Sequence, residues 1–419
     1  MSRIGLENLY PSGELPNQRL RYQGLAGRHA EVFPASSASR GGRFFSAPGR
    51  TEICGNHTDH NGGSVICSAV DLDIAAYAVP RTDRRVRIDS MGFPFLDIDL
   101  GDLAPRPGES GTSAAIVRGM AMALQTHGLA EPRGFDAVVD SRVPPGSGLS
   151  SSAAFEVLAG MIMSTFSGKE IPPYDLAKAG KYAENVYFGK PSGLMDQMAC
   201  AIGSAILIDF EDPKDARFEI LDFDPQRHGY SLVVLGTGGS HEDLTPDYAA
   251  IPREMGEVAA LFGKTVLAGI SKADLAAKAG AIRDALGDRA FLRAWHFAGE
   301  TARSREAASF LKRGDFRSFL GLVAESGYSS LAYLQNLYSP HNLREQGLVV
   351  GLAMAKEFLA GQGAARVHGG GFAGTIQSYV PTPRLEEYLS YLGSAFGATN
   401  VFPLHTRRHG VVCIDSIRS

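Results

Sequence analysis

Residues Val143-Pro144-Pro145-Gly146-Ser147-Gly148-Leu149-Ser150-Ser151-Ser152-Ala153-Ala154-Phe155-Glu156 decide how this chain is read. The residues before them, Phe135–Val143, have the pattern of a strand, and Ser151–Phe166 reads as an apolar helix. A strand that passes through a glycine-serine turn into a helix builds an anion site. The glycines let backbone approach a ligand closely, and the first-turn amides, which lack intrahelical partners, aim partial positive charge at it. The serines add hydroxyl donors and a possible magnesium ligand. No Gly-Lys-Ser/Thr follows the glycines, so the Walker pattern is absent. A plain glycine turn with a serine N-cap is the bland alternative.

Outward from this loop, the 419 residues suit two domains of about 200 residues each. Upstream, residues 1–40 mix charge, Pro and Ser. Phe44–Arg50 runs from strand into turn, Val65–Pro80 reads as buried strand, Arg85–Leu100 alternates, and Ser113–His127 has helical periodicity. Downstream come a helix over about Tyr174–Tyr187 and a polar, turn-rich stretch after Phe210, where the domain boundary is placed, giving 1–220 and 221–419. The second half opens with the strand Tyr230–Leu235 and is helix-rich to about Leu359. It returns to strands over Arg366–Tyr379 and ends in a strand at Val411–Ile414.

Hydrophobic residues at 44%, charged residues at 21% and a net charge of −4 fit a globular protein with no basic field for nucleic acid. No apolar stretch approaches the length of a membrane span, and the N-terminus lacks the apolar core of a signal peptide. Cys54, Cys67, Cys200 and Cys413 show no metal or CxxC spacing, which reads as reduced thiols in a cytoplasmic protein.

Two further motifs accompany the loop. One is Ala47-Pro48-Gly49-Arg50 leading to Gly55-Asn56-His57-Thr58-Asp59-His60-Asn61-Gly62-Gly63; the other is Val367-His368-Gly369-Gly370-Gly371-Phe372-Ala373-Gly374-Thr375. In this order the three resemble the GHMP kinases. Within them, His57-Thr58-Asp59 and Gly193-Leu194-Met195-Asp196-Gln197 resemble the galactokinase family. The resemblance implies a two-lobed α+β fold with its active site between the N- and C-terminal lobes. It implies phosphorylation of the anomeric hydroxyl of galactose or a related sugar, with ATP and Mg2+, by a monomer or weak homo-oligomer.

Residue roles follow from the same resemblance. Asp196 matches the catalytic carboxylate and Arg50 the cation beside the transferred phosphoryl. Gly146, Ser147, Gly148, Leu149, Ser150, Ser151 and Ser152 match the ATP-binding loop. Ser152 and Glu184 match the magnesium ligands, Glu184 lying twelve residues before Asp196. Asn56, His57, Thr58 and Asp59 fall on sugar-binding positions, and Tyr248 on the tyrosine that reaches the sugar from the second lobe. Elementary chemistry agrees: phosphoryl transfer is mostly positioning and charge neutralisation, and a carboxylate beside an arginine stays ionised.

The sugar side departs from the family pattern. A galactokinase carries Glu where this chain has Asn56, a position expected to meet the C6 hydroxyl, and Tyr where it has His60. That opens galacturonate, L-arabinose or fucose as alternative substrates, and implies that Asn56→Glu would improve galactose use if galactose is not the native sugar. The segment Gly236–Asp243 also differs from the family run. A catalytically silent sugar sensor is the reading from another class, and the presence of Arg50, Ser152, Glu184 and Asp196 argues against it. The HxxH spacing of His57 and His60 lacks a third ligand, so sugar contact or a turn hydrogen bond is favoured over metal. Trp295 reads as helix packing, Cys54 as a buried small hydrophobe, and Arg81, Arg84, Arg85 and Arg87 as a solvated turn.

Overall fold

The computed structural model describes residues 4–37, 41–144, 146–190, 192–212, 215–239, 244–415 and 417. Twelve strands occur among them: β1 (Arg43–Cys54), β2 (Ser64–Pro80), β3 (Arg85–Ser90), β4 (Leu96–Asp99), β5 (Phe135–Ser141), β6 (Ala205–Asp209), β7 (Arg217–Leu221), β8 (Tyr230–Gly236), β9 (Ala364–His368), β10 (Thr375–Pro381), β11 (Val401–Leu404) and β12 (Val412–Ile414). Eight form one sheet, ordered β12-β1-β2-β5-β3-β4 with β6 and β7 attached through β2, and four form a second, ordered β11-β8-β10-β9. With long helices packed on both sheets, the fold is α+β, as expected.

Two features of the first sheet place chemistry. The long strand β2 pairs through its first half with β6 and through its second half with β5, so it runs through the middle of the sheet and is almost wholly buried. Strand β1 loses register with β2 between Pro48 and Arg50. Pro48 has no N–H for the ladder, and the resulting bulge re-aims the strand, sending Arg50 toward the loop after β5.

Strand β7 of the first sheet ends at Leu221 and β8 of the second sheet opens at Tyr230, both just after the expected boundary at 220, and the closing strand β12 returns to pair with β1. An aromatic seam of Phe223, Phe316, Phe319 and Tyr379 joins the main core across the two halves. The polar stretch before β1 contains a helix, Leu15–Val32, that its composition did not announce. It buries Gln18, Tyr22, Leu25 and His29 along one stripe. The basic run is only partly solvated: Arg81 and Arg87 both clasp the buried Asp136 carboxylate, at 3.0 and 2.7 Å. Residues 91–95 break the alternating stretch into β3 and β4. Trp295 stacks on Phe291 within a helix-packing cluster, as its reading required.

Candidate active site

The phosphate loop leaves β5 and turns into the helix Ser151–Ser167. Leu149 is buried in the core and anchors the loop, while Ser150 adopts a left-handed conformation (φ 57°) at the helix entry. The hydroxyl of Ser147 folds back onto the Pro144 carbonyl at 2.6 Å. The Arg50 amide donates to the Leu149 carbonyl at 3.0 Å, and its guanidinium donates to the Gly148 carbonyl. Thus the re-aimed strand β1 holds the loop by its carbonyls and leaves the first-turn amides of the helix facing outward.

Asp196 sits in the first turn of the helix Met195–Ile202, directly against this loop. Arg50 Nε and Nη2 donate to its two oxygens at 2.7 Å each, a bidentate pair, and the Ser150 hydroxyl donates to the same carboxylate. Burial pushes the Asp196 carboxyl upward, but the Arg50 guanidinium and these hydrogen bonds outweigh it and hold the group below its ordinary value. Asp196 is therefore a carboxylate held toward its charged form and fixed in orientation beside a helix end whose first-turn amides lack intrahelical partners.

The expected metal pair is also brought together. Ser152 Oγ lies 3.3 Å from Glu184 Oε1, and Glu184 is buried in a short π-helical turn, Ala183–Phe188. A hydroxyl and a carboxylate are hard oxygen donors suited to Mg2+, which takes its remaining ligands from waters and phosphates. Three residues not expected at this point complete the surroundings. Lys190 Nζ is 2.9 Å from Glu184 Oε1, Gln197 Nε2 is 2.8 Å from Glu184 Oε2, and the Ser192 hydroxyl also donates to Glu184. Gln197 further donates to buried Glu156 at 2.9 Å. Burial first, then the charge of Glu184, raises the Glu156 carboxyl well above the ordinary range, so it is neutral.

On the sugar side, His57, Asp59 and Tyr248 converge, and Asn56 and Thr58 do not. The Asn61 amide donates to His60 Nδ1 at 2.9 Å, so His60 Nε2–H donates to His57 Nδ1 at 3.2 Å. His57 Nε2–H then donates to the Gly370 carbonyl at 2.8 Å. Burial pushes the His60 imidazole down to about 3, which keeps that ring neutral. The Tyr248 hydroxyl donates to the Gly371 carbonyl at 2.7 Å, and its ring meets Phe372 edge-on. The triple glycine thus gathers both side chains. Asp59 lies against Gly193, where an added Cβ would fall 1.7 Å from Asp59 Oδ2; only glycine lets the sugar loop approach the Asp196 segment. Burial, and the Asp196 charge against the opposing effect of His57, raise the Asp59 carboxyl.

The expectation that Asn56 and Thr58 contact sugar does not fit their placement. Asn56 is 0% exposed, and its amide nitrogen donates to Glu52 at 3.0 Å and to the Gly369 carbonyl at 2.7 Å. Its oxygen accepts from Asn336 at 2.8 Å and Ser330 at 3.3 Å, so its hydrogen-bonding capacity is spent inside the protein. Thr58 is equally buried, its hydroxyl committed to the Gly55 and Ser64 carbonyls. Both shape the loop from within. Residues 240–243 of the divergent Gly236–Asp243 segment lie outside the described residues.

The long helix Asp288–Lys312 supports that loop in a way no motif signalled. Glu300 Oε1 accepts from the Gly55 amide at 2.9 Å and the Asn56 amide at 3.4 Å, and His296 Nε2 donates to the Asn56 carbonyl at 2.9 Å. Cys54 is buried beside Glu300, and burial pushes its thiol up to about 12, in keeping with an inert small side chain.

The third motif packs on the glycine-serine loop. Gly148 has φ +70°, and an added Cβ would lie 2.8 Å from Thr375 Oγ1 and 2.9 Å from His368 Nδ1. His368 Nε2 accepts from the Glu52 amide at 3.2 Å, which leaves Nδ1–H to donate to Thr375 Oγ1 at 2.9 Å. The Thr375 hydroxyl donates to the Ser147 carbonyl at 3.0 Å.

Comparison with known proteins gives the family and the fold. Residues 111–204 match the GHMP kinases N terminal domain, and residues 28–80 match the galactokinase galactose-binding signature. The chain is 31% identical over 384 residues to a galactokinase of Streptomyces coelicolor, covering 90% of this chain and 95% of that one. It is 30% identical to the Homo sapiens galactokinase, over 88% of this chain and 92% of that one. Lactococcus lactis galactokinase complexed with galactose superposes with a TM-score of 0.80 at 24% identity, covering 93% and 99% of the two chains. Methanococcus jannaschii mevalonate kinase superposes with a TM-score of 0.62 at 17% identity, covering 88% and 99%.

Proposed function

Since the chain belongs to the galactokinase family of GHMP kinases, we propose that its cleft performs one in-line transfer, from ATP to the anomeric hydroxyl of galactose. The products are the sugar 1-phosphate and ADP. The observation that carries this is the Arg50–Asp196 pair, two contacts of 2.7 Å set under the amide-lined entrance of the Ser151–Ser167 helix.

The ionised Asp196 accepts the proton of the C1 hydroxyl as its oxygen attacks the γ-phosphorus, and the bond to the β-phosphate oxygen breaks. Arg50 holds Asp196 in its charged form and orientation and adds positive charge where the phosphoryl passes. Backbone amides from Gly146 through Ser152 hold the phosphates. Ser152 and Glu184 are the residues that would hold Mg2+, which when bound neutralises phosphate charge. His57, Asp59 and Tyr248 bind the sugar, with Asn56 and Thr58 acting through the loop's shape. The functional halves are 1–220 and 221–419, with β12 crossing back to the first. We place the protein in the cytoplasm as a monomer or weak homo-oligomer; its four thiols are all unpaired, which suits a reducing compartment. No helix among the described residues is long and apolar enough to cross a membrane.

The test is an ADP-release assay with Mg-ATP and a panel of galactose, GalNAc, galacturonate, L-arabinose and fucose. Galactose turnover is expected, and Asp196→Asn should lower kcat by about 10²–10⁴-fold while changing sugar affinity far less. Intact ATP binding without turnover of any panel sugar would overturn the reading. Preferential turnover of galacturonate or L-arabinose would reassign the sugar and keep the chemistry.

A further inference from the structure

We infer that Lys190 is a ligand of the nucleotide's phosphates, parked on Glu184 until a metal ion takes the oxygen it holds. The inference rests on the reading of Ser152 and Glu184 as the metal pair and goes beyond it. Lys190 Nζ lies 2.9 Å from Glu184 Oε1, the same oxygen that faces Ser152 Oγ at 3.3 Å. The ammonium and the Ser152 hydroxyl therefore meet the same carboxylate oxygen, the one that Glu184 would offer to a metal ion. The ammonium cannot share this oxygen with Mg2+ at close range, since two positive charges would meet there.

The displaced ammonium has somewhere to go. Its side chain is 56% exposed, on the loop that follows the π-helical turn, while Glu184 is 2% exposed. A flexible four-carbon stem lets the head swing without moving the backbone, and among the described residues its ammonium donates to Glu184 alone. Arg50 is differently placed: its guanidinium is spent on both Asp196 oxygens and the Gly148 carbonyl. A triphosphate entering over the Ser151–Ser167 helix end brings several negative charges to this spot. Lys190 thus exchanges one anion for another, Glu184 in the resting site and a phosphate oxygen in the loaded one.

The test compares Mg-ATP binding by titration calorimetry in wild type, Lys190→Met, Lys190→Arg, Glu184→Gln and the Lys190→Met/Glu184→Gln double variant. Losing a charge-assisted phosphate contact should weaken Mg-ATP binding by about ten-fold or more in Lys190→Met. Lys190→Arg should stay within a few-fold of wild type. The loss should persist in the Glu184→Gln background, because the contact is to phosphate and not to Glu184. Wild-type affinity in Lys190→Met, or a loss that vanishes once Glu184 is neutral, would overturn the inference. The exposed position makes Lys190→Met safe for folding, which an unchanged thermal melt verifies. Glu184→Gln separately reports on the metal reading: an unaltered Mg2+ concentration for half-saturation would remove Glu184 as a ligand, whatever Lys190 does.

Discussion

Asn56 shows how far one side chain's meaning depends on its direction. By position it stands where a galactokinase has Glu, and by type it can accept from a sugar hydroxyl. In the folded protein it is a buried junction, giving its amide protons to Glu52 and Gly369 and taking protons from Asn336 and Ser330. Glu52 is itself paired with buried Arg366 at 2.6 Å. Asn56→Glu would put a second carboxylate beside Glu52, with only the neutral Asn336 and Ser330 donors to meet it and the amide protons given to Glu52 and the Gly369 carbonyl lost. An uncompensated buried charge costs about 3–5 kcal/mol. Asn56→Glu is therefore expected to lower the unfolding free energy by that order and to reduce galactose turnover, reversing the gain that the sequence pattern suggests. Denaturant unfolding together with galactose kinetics checks it; improved turnover at unchanged stability would show that the side chain does reach the sugar.

At the scale of elements, the helix Asp288–Lys312 and the sugar loop form one unit through His296 and Glu300. Both side chains are buried, one turn apart on the same face. Burial pushes the His296 imidazole down to about 4, and its Nε2–H goes to the Asn56 carbonyl. Burial opposes ionisation of Glu300, yet His296, Arg303 and Arg366 lower it to about 2. The signs agree. An unfolded histidine takes up a proton near pH 6.5, whereas folded His296 resists until about 4, so stability falls as pH drops through that window. Glu300, depressed in the fold, contributes fully above its unfolded value near 4.5 and loses its contribution as pH falls toward about 2. The fold should thus weaken steadily below about pH 6.5. Glu300→Gln should remove the lower part of this dependence and cost about 3 kcal/mol at neutral pH. The variant should also raise KM for sugar more than KM for ATP, because the loop it releases carries His57 and Asp59. Unfolding curves from about pH 2 to about pH 8 and paired KM values test both points; equal effects on the two substrates would count against the clamp.

The whole molecule is held in register where the second sheet meets the phosphate loop. Gly148 lies against Thr375 and His368 at distances that leave no room for a methyl group, in a left-handed conformation. Gly148→Ala would push the loop away from β9 and β10 and add a backbone penalty of about 1–2 kcal/mol. The expected result is a fall in kcat/KM for ATP of at least about ten-fold, with the sugar's KM affected less. Unchanged ATP kinetics would mean that the contact serves packing alone.

Local physics made the glycine-serine loop readable in advance, and the family resemblance pointed to Arg50, Glu184 and Asp196 around it. Glycines, serines and an apolar helix in succession have few other uses, and the twelve-residue step from Glu184 to Asp196 spans one turn and loop. Short-range pattern also marked most strands, because burial on a sheet leaves its alternation in the chain. The helix Leu15–Val32 escaped because its buried stripe contains Gln18 and His29, which look like surface residues until their partners are known. Lys190, His296 and Glu300 escaped for a related reason. Their roles are fixed by what lies opposite them, from a few to more than two hundred residues away, and a charge carries no mark of its partner. The sequence by itself determined the strand–turn–helix form of the glycine-serine loop and singled out Asp196 and Arg50, which the fold pairs. Only the tertiary structure decided which way Asn56 faces, what holds the sugar loop and where Lys190 rests, because a buried polar group takes its function from whatever satisfies it.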